Sequence, residues 1–513
     1  MDGRERTFDT AHIVRWLTST MRKRLSSNTL ATLPASIARP RYDRGAVVPG
    51  IVHLGLGAFH RAHQAAYVED CLAAGETSWG IVGVSLRSTD TRDALVPQDG
   101  LYTLAIRDGE REDLRVVGSI VSVLVAPENP EALLDALTDP GIRIVTLTVT
   151  EKAYLRNAAG DLDIRHPDVA WDLSNPGRPK TLYGFLAEAL VRRKSAGTPP
   201  FTVLCCDNLP ANGATLRRLL LEFAAERNAE LEAHIAGTVA FPSSMVDRIV
   251  PATTDADRAR VSERLGADDA WPVMTEPFCQ WVVEDNFTAG RPDWEKFGVT
   301  MVEDVRPFED MKLRLLNGSH SAIAYLGLLL GHATVAEAFA DPAIRRFVGG
   351  LWAETIPTLP KNAGLDPQAY IEKLANRYAN TSLQHRTAQI ANDGSQKLPQ
   401  RIIASALDRA GENAPVTHLM LVVAAWIAAC EARGGKLSIG LFSDPLDGPL
   451  ADIAAGKFSA TETVRRVFDA AGFAKDQNNR EHLMSAAADH LETIRGKGAS
   501  VALSELAEKD SAA

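Results

Sequence analysis

Through the first 300 residues, short apolar runs that stop at glycine or polar clusters alternate with stretches of helical spacing. Gly50-Ile-Val-His-Leu-Gly55, entered from the Pro-rich segment Ala35–Pro49, predicts a buried strand running into a turn. Phe59–Ala74 predicts a helix and Gly80–Leu86 a second strand. Ile144–Thr150 and Phe201–Cys206 are apolar without strict alternation, the pattern of strands buried on both faces of a parallel sheet. Helical spacing over Thr181–Arg193 lies between them, and Gly213–Ala229 follows. Strands alternating with helices predict an open α/β sheet with right-handed crossovers. Beyond about residue 300 the texture becomes helical: Lys312–Leu330, Thr334–Phe339, Ile402–Leu407, Pro415–Arg433, Ala460–Ala471 and Arg480–Arg495. The expected organisation is an N-terminal arm over 1–42, an α/β domain over 43–300 and a mostly α-helical domain over 301–513, with the boundary near Arg291–Met301. Residues 1–25 read as a dispensable arm in which Met1 or Met21 could be the start, and the alanine-rich tail after Gly498 is expected to be partly disordered.

Composition removes several classes. A chain of 513 residues, 45% hydrophobic and 23% charged, is globular and too long for one core. Its net charge of −10, with no basic stripe, argues against nucleic-acid partners. The five cysteines include one adjacent pair and no CxxC, which suits reduced thiols in a cytoplasmic protein rather than a disulfide framework or a zinc site. No uncharged apolar run of about 18 residues predicts a membrane span.

Two constellations carry chemistry. In Gly55-Leu-Gly57-Ala-Phe59-His60-Arg61 a G-x-G stands between a predicted strand and a predicted helix. The first glycine permits a tight turn, and the second lets a pyrophosphate approach backbone amides at a helix N-terminus. His60 stands where the usual fingerprint has a third glycine, and a bare G-x-G also reads as a plain turn. Asp90, after the second strand, is the candidate for the adenosine ribose, which would favour NAD; a solvated loop aspartate is the alternative, and Arg87 and Arg92 flank it.

The second constellation is Glu309-Asp-Met-Lys312-Leu-Arg-Leu-Leu-Asn317-Gly318-Ser-His320. On an ideal α-helix with Lys312 at 0°, Asn317 falls at about 140° and His320 at about 80°, so all three share one arc. Gly318 inside a helix costs about 1 kcal/mol relative to Ala, which suggests close approach by a ligand or another backbone. A plain exposed Lys, Asn and His is the competing reading, opposed by the apolar neighbours Leu315, Leu316, Ile323 and Leu326. Asn208 ends an apolar strand, where α/β sheets bind ligands, though Asp-Asn also forms turns. Asp247 and Lys397 stand in loops that say little alone.

Seven blocks in order resemble the polyol-specific long-chain dehydrogenases, the mannitol 2-dehydrogenase family. They are Gly-Leu-Gly-Ala-Phe-His-Arg-Ala-His (55–63), Thr-Val-Thr-Glu-Lys (148–152), Cys-Asp-Asn-Leu-Pro (206–210), Met-Val-Asp-Arg-Ile (245–249), Glu-Pro-Phe (276–278), Lys-x4-Asn-Gly-Ser-His (312–320) and Asp-Gly-Ser-Gln-Lys (393–397). The resemblance implies a Rossmann-like N-terminal domain, an α-helical C-terminal domain, a site formed by both, NAD as cofactor and no metal. It implies that Lys312 is the general base, that Asn208 and Asn317 hydrogen-bond the substrate oxygen, and that His320 orients the reacting hydroxyl. It further implies that Glu309 serves proton passage, that Asp247 and Lys397 line the substrate pocket, and that the protein works as a monomer on a small polyol or sugar acid. A lysine base must be neutral, so its pKa has to fall from about 10.4 toward the working pH.

Within the family, Glu284-Asp-Asn-Phe (284–287), His385-Arg-Thr-Ala-Gln-Ile-Ala (385–391) and Asp393–Arg401 are closer to the fructuronate reductase branch. There Arg386 with Lys397 could pair a substrate carboxylate, a helix-surface arginine being the alternative. D-Mannonate/D-fructuronate is the leading substrate pair and D-mannitol/D-fructose the second. A phosphogluconate-type oxidative decarboxylase would need an arginine cluster that the blocks lack. A binding-only NAD sensor would dispense with Lys312 and its asparagines.

Overall fold

In the computed structural model, residues 22–157, 159–361, 364–433 and 441–512 are described. Both candidate starts lie outside them, as does most of the proposed arm. The chain forms two compact units, Met1–Val305 and Arg306–Ala513.

The first unit is built on a five-stranded, all-parallel sheet. Its members are β1 (Pro49–Leu54), β2 (Gly80–Ser85), β5 (Ile120–Val125), β6 (Ile144–Leu147) and β7 (Thr202–Cys205), in the order β5-β2-β1-β6-β7. The chain starts at β1, winds outward through β2 to β5, then returns to β6 on the other side of β1. That reversal between β1 and β6 opens a crevice at the carboxyl ends of these two strands, the place where doubly wound sheets bind ligands. The central strands β1, β2, β6 and β7 are buried along nearly their whole length, which is why they read as unbroken apolar runs.

Two small sheets complete the unit. β3 (Tyr102–Asp108) pairs antiparallel with β4 (Arg111–Val117) and parallel with β9 (Val273–Thr275). β10 (Gln280–Glu284) lies between β8 (Ser244–Asp247) and β11 (Thr300–Val302). The apolar-run pattern passes over β3 and β4 because Arg107, Asp108, Arg111, Glu112, Asp113 and Arg115 break it. Arg107 pairs with Glu112 and Asp257 at 2.7 and 2.6 Å, so those charges hold the hairpin to the neighbouring helix.

The second unit is helical. Its central helix, Thr417–Ala432, is buried continuously from His418 to Ala429 and packs on Arg480–Lys497 and Gly318–Leu330. An amphipathic helix would alternate its faces; this one is apolar all round because neighbours cover every side. The tail differs from expectation. Ala499–Ala512 is a helix, and Ala502, Leu503 and Leu506 are buried. Low-complexity alanine near a terminus resembles disorder until a packing face is counted. Here Asp510 also lies 3.2 Å from the His418 ring, which accepts or donates at 3.0 Å to Glu354.

Candidate active site

β1 ends at Leu54, and Gly55 takes φ +96°, a conformation that disfavours any side chain. A Cβ at Gly55 would stand 2.1 Å from the Thr148 carbonyl oxygen, so glycine is required twice over. At Gly57 a Cβ would find no protein atom closer than 3.7 Å. Nothing in the fold fills that space; it faces a cleft of about 370 Å³. Gly55, Gly57, Ala58 and Phe59 line one side, Thr148–Glu151 after β6 another, and Cys206, Asp207, Asn208 and Leu209 after β7 a third. The helix starting at Ala58 has Gly57 as its N-cap, which leaves its first amides toward the glycine turn.

His60 and Arg61 are not among the residues lining this cleft. The His60 ring is 1% exposed and stacks on His53 with ring centroids 3.4 Å apart. His53 in turn meets the hydroxyls of Thr146 at 2.8 Å and Thr148 at 2.9 Å, joining β1 to β6 under the turn. Burial drives the His53 pKa down to about 3 and that of His60 well below the ordinary imidazole value, so both rings are neutral supports. Arg61 is buried, donates to the Trp271 carbonyl and lies over the Tyr102 ring. Their place in the glycine-turn motif gave no sign that they point inward. The predicted helix 59–74 is also broken at His63, whose Nε2 meets the Gln280 carbonyl at 2.8 Å.

At the end of β7, Asp207 ties the third wall to the second. Its carboxylate accepts the Val149 amide at 2.7 Å and the Tyr154 hydroxyl at 2.5 Å. Burial pushes its pKa up to about 6 despite those donors. Sequence reading singled out Asn208 and passed over Asp207; the aspartate holds the loop from which the exposed Asn208 projects. Asp247 is buried as the last residue of β8, opposite Gln280. Asp90 is exposed in the first turn of the helix after β2, and Arg92 beside it is taken up by Asp93 and Glu128.

In the second unit, Glu309 lies half-buried in the short helix Arg306–Met311. Lys312–Asn317 then forms a π-helical turn, and an α-helix resumes over Gly318–Leu330. The ideal-helix phases therefore need correcting. A π-turn holds more than 3.6 residues, so Asn317 lags its α-helical angle and lies closer in phase to Lys312. Lys312 and Asn317 are half-buried, and Leu315 and Leu316 face the core.

The close approach expected at Gly318 is to backbone. A Cβ there would lie 3.1 Å from the Arg401 carbonyl oxygen. Arg401 belongs to a second π-turn, Pro399–Ile403, and its guanidinium Nη1 donates to the Ser321 hydroxyl at 3.1 Å and toward the Asn317 carbonyl at 3.4 Å. Two π-turns thus pack against each other beside the constellation. Arg401 was quoted in a sequence block but not singled out, because nothing in linear spacing brings it to Asn317.

His320 is buried at 8% exposure, with Tyr378 and His385 rings 4.9 and 5.5 Å away. Burial first, then the charges of Arg377 and Arg401, keep it neutral. Lys397 is half-buried, donates to the Asn392 carbonyl at 2.7 Å and has Asp393 at 3.9 Å; burial lowers its pKa. Arg386 is exposed as the N-cap of a short helix, its backbone bridged to Thr334.

Two family models cover most of the chain: the mannitol dehydrogenase Rossmann domain matches residues 49–296, and the mannitol dehydrogenase C-terminal domain matches residues 304–495. A D-mannonate oxidoreductase of Escherichia coli K12 is 40% identical, over 90% of this chain and 96% of that protein. A mannitol 2-dehydrogenase of Phaeosphaeria nodorum is 39% identical, over 94% of this chain and 86% of that one. Among solved structures, the Pseudomonas fluorescens mannitol 2-dehydrogenase in ternary complex with NAD and D-mannitol is 37% identical with a TM-score of 0.80, covering 95% of this chain and all of that one. With both domains matched in order and relatives aligned over nearly their full lengths, the chain belongs to the mannitol dehydrogenase family.

Proposed function

We propose that this protein interconverts D-mannonate and D-fructuronate, with Lys312 as the general base. As a family member it is an NAD-dependent oxidoreductase of a polyol or sugar acid, acting on a CH–OH group. The observation that carries the residue assignment is the π-turn, which presents Lys312 and Asn317 from one irregular segment next to the neutral, buried His320.

The glycine turn fits a dinucleotide. Gly57 leaves open space where a side chain would stand, and the cleft beside it is bounded by three strand ends. Gly55, Gly57 and Phe59 would hold the cofactor's pyrophosphate region, and Asp90 its adenosine ribose. Bound NAD supplies the acceptor for hydride.

The chain's own residues manage the proton and the oxygen. In alcohol oxidation Lys312, as the free amine, takes the hydroxyl proton as the carbon gives up hydride. The Asn317 amide donates to the oxygen on which negative charge grows, and the family likeness gives Asn208 the same task. Such donors are typically worth about 3 kcal/mol each. A neutral His320 both donates and accepts, so it can orient the reacting hydroxyl without competing for its proton. Glu309, in the turn preceding Lys312, is the outlet for the proton. Asp247 and Lys397 contribute to substrate binding.

Support for the acid substrate comes from the correspondence with D-mannonate oxidoreductase along 96% of its length and from the blocks at 284–287, 385–391 and 393–401. The polyol pair is the second reading, favoured by the near-equal identity to mannitol 2-dehydrogenase. NADH oxidation with D-fructuronate and D-fructose in parallel separates them: at least tenfold higher kcat/KM for fructuronate is expected, and preference for fructose would replace the first reading by the second.

A further inference from the structure

The arginines of the second unit mostly close on acids: Arg314 on Asp408, Arg480 on Asp469, Arg465 and Arg466 on Glu462. Arg401 does not. Among the described residues its only hydrogen bonds run from Nη1 to the Ser321 hydroxyl and the Asn317 carbonyl, and the groups that act on it electrostatically are the phenols of Tyr325 and Tyr378. Burial pushes its pKa down, the sign of a cation held without a counter-charge.

Its surroundings add donors rather than acceptors. His320 Nε2 and His385 Nδ1 are buried with no protein partner, and both rings are kept neutral by burial and neighbouring arginines. Lys397 also feels Arg401 as a like charge. A desolvated guanidinium without an acid is unfavourable on its own, and its planar fork matches a carboxylate bidentately. Arg386, which sequence spacing offered for this role, is exposed at a helix N-cap instead.

We propose that Arg401 binds the terminal carboxylate of the substrate and so selects a sugar acid over the uncharged sugar of the same length. The assignment rests on the sugar-acid reading of this site. Asn317 and Ser321, which Arg401 touches from one nitrogen, place the guanidinium next to the turn that carries Lys312, leaving Nη2 and Nε for the anion.

The test measures binding without turnover. D-Mannonate and D-mannitol share a skeleton and differ in the carboxylate, and neither is oxidised by enzyme saturated with NADH. Their affinities for that complex are read by calorimetry in the wild type, Arg401→Gln and Arg401→Lys. Arg401→Gln should weaken mannonate roughly 10- to 100-fold and mannitol less than 3-fold, with Arg401→Lys between for mannonate. Equal weakening of both ligands would make Arg401 a structural prop, and unchanged mannonate affinity would also overturn the proposal. Turnover of D-fructose but not D-fructuronate by the wild type would defeat the sugar-acid reading itself. The mannonate-to-mannitol ratio would still report separately whether Arg401 recognises a carboxylate.

Discussion

The glycine turn after β1 and the π-turn at Lys312–Asn317 solve the same problem by opposite means. Each interrupts a regular element so that backbone or side chains can face a ligand. In the first unit the interruption is made by residue type: Gly55 adopts φ +96° under the Thr148 carbonyl, and Gly57 leaves space open. In the second it is made by hydrogen-bond spacing, with ordinary Lys, Leu, Arg and Asn residues in a widened turn. One device is written in the residues themselves; the other depends on what packs beside it, a second π-turn at Pro399–Ile403. A glycine turn should therefore fail through sterics, a π-turn through loss of register.

The sharpest way to separate the two is Lys312→Ala. It should lower kcat by about 10²- to 10⁴-fold while the Kd for NADH, followed by fluorescence quenching, stays within about twofold. Retained turnover would take the base role from Lys312. Gly55→Ala comes next, since a Cβ 2.1 Å from a carbonyl oxygen adds overlap to an unfavourable φ. A loss on the order of 2–5 kcal/mol in urea unfolding is expected, with weakened NADH binding in whatever remains folded. Wild-type stability there would mean that the turn can relax away from Thr148.

Gly318→Ala should be milder. Helix propensity gains about 1 kcal/mol, and the 3.1 Å contact with the Arg401 carbonyl opposes it. The net stability change should stay within about 2 kcal/mol, with kcat falling more than NADH affinity. If NADH affinity fell as much as kcat, the two devices would not be independent. Smallest of all is Asp90→Ala. Removing one exposed acceptor should reduce the preference for NAD over NADP by roughly tenfold, since a hydrogen bond contributes about 1 kcal/mol. An unchanged ratio of kcat/KM values would assign the ribose to another residue.

What the sequence made legible follows the same division. Strands β1, β2, β6 and β7 were readable because burial on both faces leaves unbroken apolar runs. The glycine turn was readable because glycine marks it. Hidden from sequence were His60 and Arg61 turning inward, since polar residues beside a glycine turn look like ligand contacts and only the stacked His53 and the Trp271 carbonyl explain them. The helical tail was hidden because its burial comes from partners distant in sequence. Arg401 was hidden for the same reason: 80 residues separate it from Ser321, and no local pattern encodes their contact.

The π-turn has a consequence for how this chain tolerates length changes. A turn closed by i→i+5 bonds accommodates one residue more than an α-turn closed by i→i+4 bonds. Deleting a single apolar residue between Lys312 and Asn317 would let the segment relax into plain α-helix. That would rotate everything before it by about 100° relative to everything after. The helix would survive, perhaps more regular than before, while Lys312 and His320 parted company. Here the count of residues, more than their kind, is what an insertion or deletion would put at risk.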